Sequence, residues 1–191
     1  MTFVDLGIVI KFRTLPLGLA GAALCSCQTP GSVGTVKPEP LRAMSEKVDV
    51  SGFMGDWFVI AHIPTFIEKD AYNAVESYEL AADGVTIPTT FRFNKGSYDG
   101  PVKTYRPKGF IHNPETNAEW RMQFVWPFKA AYLITYLSAD GQTTIIGVPS
   151  RKYVWIMSRS KTLPHEDYAE LVKMLERSGH DVAKLRKVPQ R

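Results

Sequence analysis

The chain has 191 residues, 45% of them apolar and 12% aromatic, enough to bury one sizeable core but too short for two ordinary domains. Its formal charge is +4, yet the basic residues are scattered until the run Lys184, Arg186, Lys187 and Arg191. This composition excludes an intrinsically disordered chain, and the dispersed charge excludes a nucleic-acid-binding stripe, leaving a solvated basic tail.

The first element in chain order is a targeting segment. Lys11 and Arg13 precede the run Leu15 to Leu24, rich in Leu, Ala and Gly, an order that reads as a secretory signal over residues 1–27. The run is too short to span a bilayer permanently, which takes about 20 apolar residues. Asp5 and an apolar stretch lie ahead of the positive flank, the arrangement expected if translation begins further in. Cys25 and Cys27 are the only cysteines. Leu24-Cys25-Ser26-Cys27 resembles a lipobox, with Leu three residues ahead of Cys27 and a small residue directly ahead of it. That resemblance implies acylation of Cys27, with palmitate among the chains, and a stable membrane anchor, since one acyl chain alone binds only marginally. An ordinary cleaved signal is the alternative. From Gln28 to about Lys47 the chain is rich in Pro, Gly, Ser and Thr and reads as a flexible tether, so the folded domain is expected over 48–191.

Short β-rich runs then recur: Trp57 to His62, Ala74 to Leu80, Thr89 to Asn94, Val102 to Ile111, Glu119 to Val125, Ala131 to Leu137, Thr143 to Val148 and Tyr153 to Ser158. Turn signals separate them, among them Ala82-Asp83-Gly84, Asn94-Lys95-Gly96, Asn113-Pro114-Glu115 and Ala139-Asp140-Gly141. Eight runs in this order predict an all-β, antiparallel, up-and-down meander. After Pro164 the period changes. Tyr168, Leu171, Val172 and Leu175 recur at helical spacing, with Glu166, Glu170, Lys173 and Arg177 on the other side and Ser178-Gly179 as the stop. Such a helix must lay its stripe on the outside of the sheet, and Asp181 to Val188 is expected to return along it.

Two motifs sharpen this. Gly55-Asp56-Trp57-Phe58-Val59-Ile60-Ala61 resembles the first strand of the lipocalins, and Pro149 to Arg159, with Tyr153-Val154-Trp155-Ile156-Met157 at its centre, resembles the last strand of the bacterial and plant types. Tyr78-Glu79-Leu80, Gly109-Phe110 and Pro127-Phe128 are further matches, so the resemblance covers about residues 45 to 190. The middle signature and the disulfide of many secreted lipocalins are missing, which points to the bacterial branch. The resemblance implies an eight-stranded barrel with an α-helix packed on its outside, closed at one end by Trp57 with the Arg159 guanidinium stacked on its face. It also implies storage or transport of a small hydrophobic ligand, a fatty acid or lysophospholipid. The expected place is the periplasmic face of the outer membrane, which Gln28 after the acylated cysteine favours. A homodimer is left open.

With Trp57 inward, alternation places Val59 and Ala61 on the same face. The same parity turns Phe91, Phe93, Trp120, Met122, Phe124, Tyr132, Ile134, Tyr136, Tyr153 and Trp155 inward, with Met157 and Arg159, and turns Arg92 and Arg121 to water. Glu76 and Tyr78 share a face, either the cup or the outside. If inward, Glu76 and the tyrosine hydroxyls would meet a polar head group; equally, inward aromatics fill some small barrels as ordinary core. The loop His62 to Tyr72 is apolar for a surface segment, making Phe66 and Ile67 candidate lid residues or membrane contacts, with packing inside the loop as the alternative.

Other chemistries find little support. His62, His112, His165 and His180 stand in four separate segments without ligand spacing, so neither a metal nor another cofactor is expected. Ser158 and Ser160 lack a nucleophile elbow, and no Gly-rich phosphate loop opens a helix. The chain therefore reads as a binding protein. The competing readings are a barrel enzyme acting on a bound lipid through Glu76 or His112, and a haem carrier with one axial histidine.

Overall fold

The computed structural model describes residues 39–191; the signal segment, Cys27 and the first part of the expected tether lie outside them. The strands are β1 (Gly55–Ile63), β2 (Ala71–Tyr78), β3 (Thr86–Lys95), β4 (Val102–Tyr105), β5 (Lys108–Ile111), β6 (Glu119–Val125), β7 (Phe128–Leu137), β8 (Thr143–Gly147), β9 (Val154–Ser158) and β10 (Arg186–Lys187). One turn of helix, α1 (Val50–Phe53), precedes β1, and α2 (His165–Arg177) follows β9. Neighbouring strands pair antiparallel in chain order, and β1 also pairs with β9, closing the sheet into a barrel.

The barrel has eight staves, as the meander predicts. The run Val102 to Ile111 is broken at Arg106-Pro107, where proline cannot donate to the ladder. Both pieces still pair with β3, β4 with its second half and β5 with its first. β10 is the one addition to the predicted strands. It pairs with Ala61 and His62 of β1, and the chain beyond it seats between β1 and β2. Val188 N–H donates to Ile60 O (2.9 Å), Asn73 N–H donates to Pro189 O (2.8 Å), and the Gln190 amide donates to Val59 O and Ala74 O. The basic run near the C-terminal end is thus partly a stave-filling strap.

Burial separates into two cores, one on each side of the wall. The inner core joins Trp57, Val59, Tyr78, Ile87, Phe91, Phe93, Trp120, Met122, Tyr132, Ile134, Trp155, Met157 and Val188. The outer core joins Ile60, Ala61, Ile63, Ile145, Val154 and Ile156 to Leu171 and Leu175 of α2. The helix therefore packs on the outside, and the predicted stripe is the face it buries. Gly179, with φ of 83°, supplies its left-handed stop.

Residues 39–47, read from sequence as the end of a tether, are held on the barrel. Leu41 N–H donates to Pro149 O, Met44 N–H donates to Ile134 O, and Arg151 Nη1 donates to Glu39 O, while Ala43 and Met44 pack on the inner core. Apolar side chains at Leu41, Ala43 and Met44 distinguish this stretch from the Gly, Ser and Thr before it.

Candidate functional site

One end of the barrel is sealed. Trp57 is fully buried beneath the strands, its indole N–H donating to Phe53 O at 2.9 Å. The Arg159 Cζ lies 3.8 Å from the Trp57 ring centroid. The guanidinium donates to the carbonyls of Asp56, Gly52 and Met54, each at 2.8 Å. The first and last barrel strands are thereby locked together, as the two motifs imply. Gly55, with φ of 92°, turns the chain from α1 into β1 where a non-glycine residue would be strained. Sequence parity missed Phe53. It is buried with its ring centroid 4.9 Å from that of Trp57 and 5.4 Å from that of Trp120. Its signal was the Asp49 cap followed by a short apolar turn, too brief to show a helical period.

Above this floor the lumen is lined with aromatic rings. Trp120 stacks on Tyr132 with centroids 5.9 Å apart, Tyr132 lies 6.2 Å from Trp155, and Phe91 lies 5.2 Å from Phe93. Tyr105 of the broken stave stacks on both phenylalanines. Gly109 keeps this wall close, since a Cβ there would sit 2.9 Å from Met122 Sδ and 3.1 Å from Ile87 Cβ. Val59, Ile134 and Met122 fill between the rings, and Tyr153 packs against their edge.

Glu76 and Tyr78 belong to the cup. Both face inward, and Glu76 Oε2 accepts from the Tyr78 hydroxyl and, at 2.9 Å, from the Tyr132 hydroxyl; the two phenols also touch each other. Burial pushes the Glu76 carboxyl up to about 7, against the lowering effect of the Tyr78 hydrogen bond and with the nearby charge of Glu68 adding to the rise. Burial likewise raises both tyrosines well above the ordinary phenol value.

Three residues expected on the inner face are elsewhere. Ala61 faces out, under α2, because the ladder between β1 and β9 slips between Val59 and Ala61. One extra residue in a strand inverts every side chain beyond it. Tyr136 is turned out by the same device, a break in the β7 and β8 register between Ile134 and Tyr136. Phe124 is 55% exposed, beyond a register break in the β6–β7 hairpin.

The first of these slips also brings in a residue that parity missed. His62, assigned to no face, is buried beside Glu68 and Trp155. Its Nδ1 is 3.5 Å from Glu68 Oε2, without hydrogen-bond geometry. Glu68 accepts from the Trp155 indole at 3.1 Å and from Thr65 N–H at 2.9 Å. Burial favours its neutral form, but His62, Thr65 and Trp155 together hold its carboxyl below the usual value. This cluster pins the loop 64–70 to β1 and β9 at the mouth. Ile67 is half-buried and Phe66 is 82% exposed. Phe66 shares the mouth with an exposed hairpin carrying Val125, Trp126 and Phe128.

No group of three or more His, Cys, Asp or Glu is placed to hold a metal among the described residues, and no helix among them is long and apolar enough to cross a membrane. His112 is exposed, just beyond the end of β5, and makes no hydrogen bond or ion pair with the Glu76 cluster among the described residues.

Comparison with known proteins agrees with this architecture. Residues 48–190 match the family described as a lipocalin-like domain. The chain is 30% identical to temperature-induced lipocalin-1 of Arabidopsis thaliana over 154 residues, covering 75% of this chain and 80% of that one. It is 27% identical to the outer membrane lipoprotein Blc of Escherichia coli K12 over 177 residues, covering 90% and 94%. Among solved structures, lobster apocrustacyanin A1 superposes with a TM-score of 0.59 at 14% identity, covering 82% of this chain and 93% of that one, a likeness of fold. With its closed barrel, its indole and guanidinium floor and its outer helix, the chain belongs to the lipocalin family, and it is similar to the bacterial outer membrane lipoproteins within it.

Proposed function

We propose that this lipocalin is a carrier, not an enzyme, that holds one single-chain lipid, a fatty acid or lysophospholipid, inside the barrel. The observation that carries the reading is the lumen itself. Phe91, Phe93, Met122, Tyr132 and Trp155 line an interior that Trp57 and Arg159 close at one end. An acyl tail drawn into such a space gains about 0.8 kcal/mol per buried methylene. The aromatic lining supplies no nucleophile, and the lumen's one carboxylate with a raised pKa is already bound by two phenols. The similarity to outer membrane lipoproteins and the lipobox-like Leu24 to Cys27 support a lipid anchor at Cys27 and action at the outer membrane, where membrane-derived lipid is at hand.

Native mass spectrometry of protein purified without detergent tests the carrier reading. Co-purification of a single-chain lipid is the expected result. Empty protein whose tryptophan emission is also unchanged by lipid titration would overturn it. For the anchor, Cys27→Ala is expected to move the protein from the membrane to the soluble fraction.

A further inference from the structure

The lumen is not uniformly apolar, and its cluster around Glu76 is incompletely used. Glu76 is buried to 8% exposure, and both of its hydrogen bonds fall on Oε2. Oε1 has no hydrogen-bond partner among the described residues. Trp155 and Tyr132 keep a similar exposure, 8% and 6%, while Trp57, Val59, Ile134 and Trp120 are at zero. Tyr132, whose hydroxyl binds Glu76, stacks on Trp120 and lies 6.2 Å from Trp155, so aromatic rings stand beside the carboxyl.

The chemistry beside Glu76 is one-sided. Each phenol has spent its proton inside the cluster, so what remains toward the lumen is acceptor capacity. The other ionisable groups of the lumen are Glu68 and His62, and no lysine or arginine is buried among the described residues. The face of an aromatic ring attracts a cation. A second carboxylate brought to Glu76 would face a like charge in a dry site, and one of the two would have to take up a proton. A primary ammonium supplies what is missing, donors and positive charge.

We infer that Glu76 Oε1 is a head-group subsite, and that this lipocalin selects single-chain amphiphiles bearing a protonated amine over those bearing a carboxylate. The inference rests on the carrier reading and narrows it. Among lipids with equal tails, the tail contributes equally and the head decides. A charge-assisted hydrogen bond retained in a buried site is worth about tenfold or more in affinity.

Titration of the purified full chain with dodecylamine, dodecanoate and dodecanol, followed by calorimetry, tests this. At about pH 8, above the carboxyl's raised value, the amine should bind about tenfold more tightly than the acid. Glu76→Gln, of nearly the same shape, should abolish that preference. A measurement on the unaltered protein guards against a variant that fails to fold: lowering the pH to about 5.5 neutralises Glu76 and should shrink the preference. The groups facing Glu76 in that range are Tyr78 on its own strand, Tyr132 on β7 and Glu68 from the mouth loop. His62 stands beyond Glu68, and Arg159 lies below Tyr78. Equal binding of acid and amine at the higher pH, or a preference that survives Glu76→Gln, overturns the inference and leaves the carrier reading standing. If none of the three amphiphiles binds, both fall.

Discussion

Two regions of the barrel bury charge against aromatic rings, and they do it differently. At the floor, the Arg159 guanidinium lies on Trp57 and donates to three backbone carbonyls, so its capacity is largely consumed by the protein. In the belt above, Glu76 accepts two phenol protons on one oxygen and leaves the other free. The first arrangement is a lock, which ties the end of β9 to α1 and β1. The second stores unused affinity at a cost in stability, because a buried carboxylate must stay protonated or bear its charge in a low-dielectric site.

The sharpest way to break the comparison is at the lock. Trp57→Ala removes the largest side chain of the floor and the ring on which Arg159 rests, and should cost about 3 to 5 kcal/mol. Urea unfolding with an unchanged m-value would read this directly, and a loss below about 1 kcal/mol would show that the floor is not a structural lock. The belt should respond with the opposite sign. A rise in the Glu76 pKa from 4.5 to about 7 means that the folded state holds a proton the unfolded chain has released. Stability from this group therefore falls between those pH values and stays low above them, by about 3 kcal/mol at most. Glu76→Gln should accordingly be more stable than the parent at about pH 8, and should lose that advantage as the pH approaches about 4.5. Glu68, with its carboxyl held below the ordinary value, acts in the other direction and only at more acid pH, so the two slopes are separable. The smallest effect is expected at the mouth. Trp126 is 82% exposed, and Trp126→Ala should change stability by less than about 0.5 kcal/mol.

The same contrast explains what was legible beforehand. The lock could be read because it is made of two residues embedded in dense strand motifs, and because eight alternating runs and one amphipathic stretch leave few ways to arrange a chain of this length. Parity then ordered most of the lining, including Phe91, Phe93, Trp120, Met122, Tyr132 and Trp155. It failed at Ala61 and Tyr136 for one physical reason: a bulge adds a residue to one strand without any mark in composition, and inverts the faces beyond it. That error hid His62, whose burial follows from the slip that expels Ala61. Glu68 was hidden differently, since its partners, His62 and Trp155, come from strands that meet it only after the barrel closes. Phe124 marks the limit of alternation at a strand end, where the hairpin leaves the wall.

The central claim, that a single-chain lipid enters the lumen past the mouth and lies above the lock, can be tested with the four tryptophans of the chain, each in a different place. Fluorine NMR of 5-fluorotryptophan-labelled protein titrated with dodecanol should shift the Trp155 and Trp120 resonances, with Trp57 and Trp126 nearly still. Movement of Trp126 alone would place the lipid on the outer hairpin and contradict a ligand held inside.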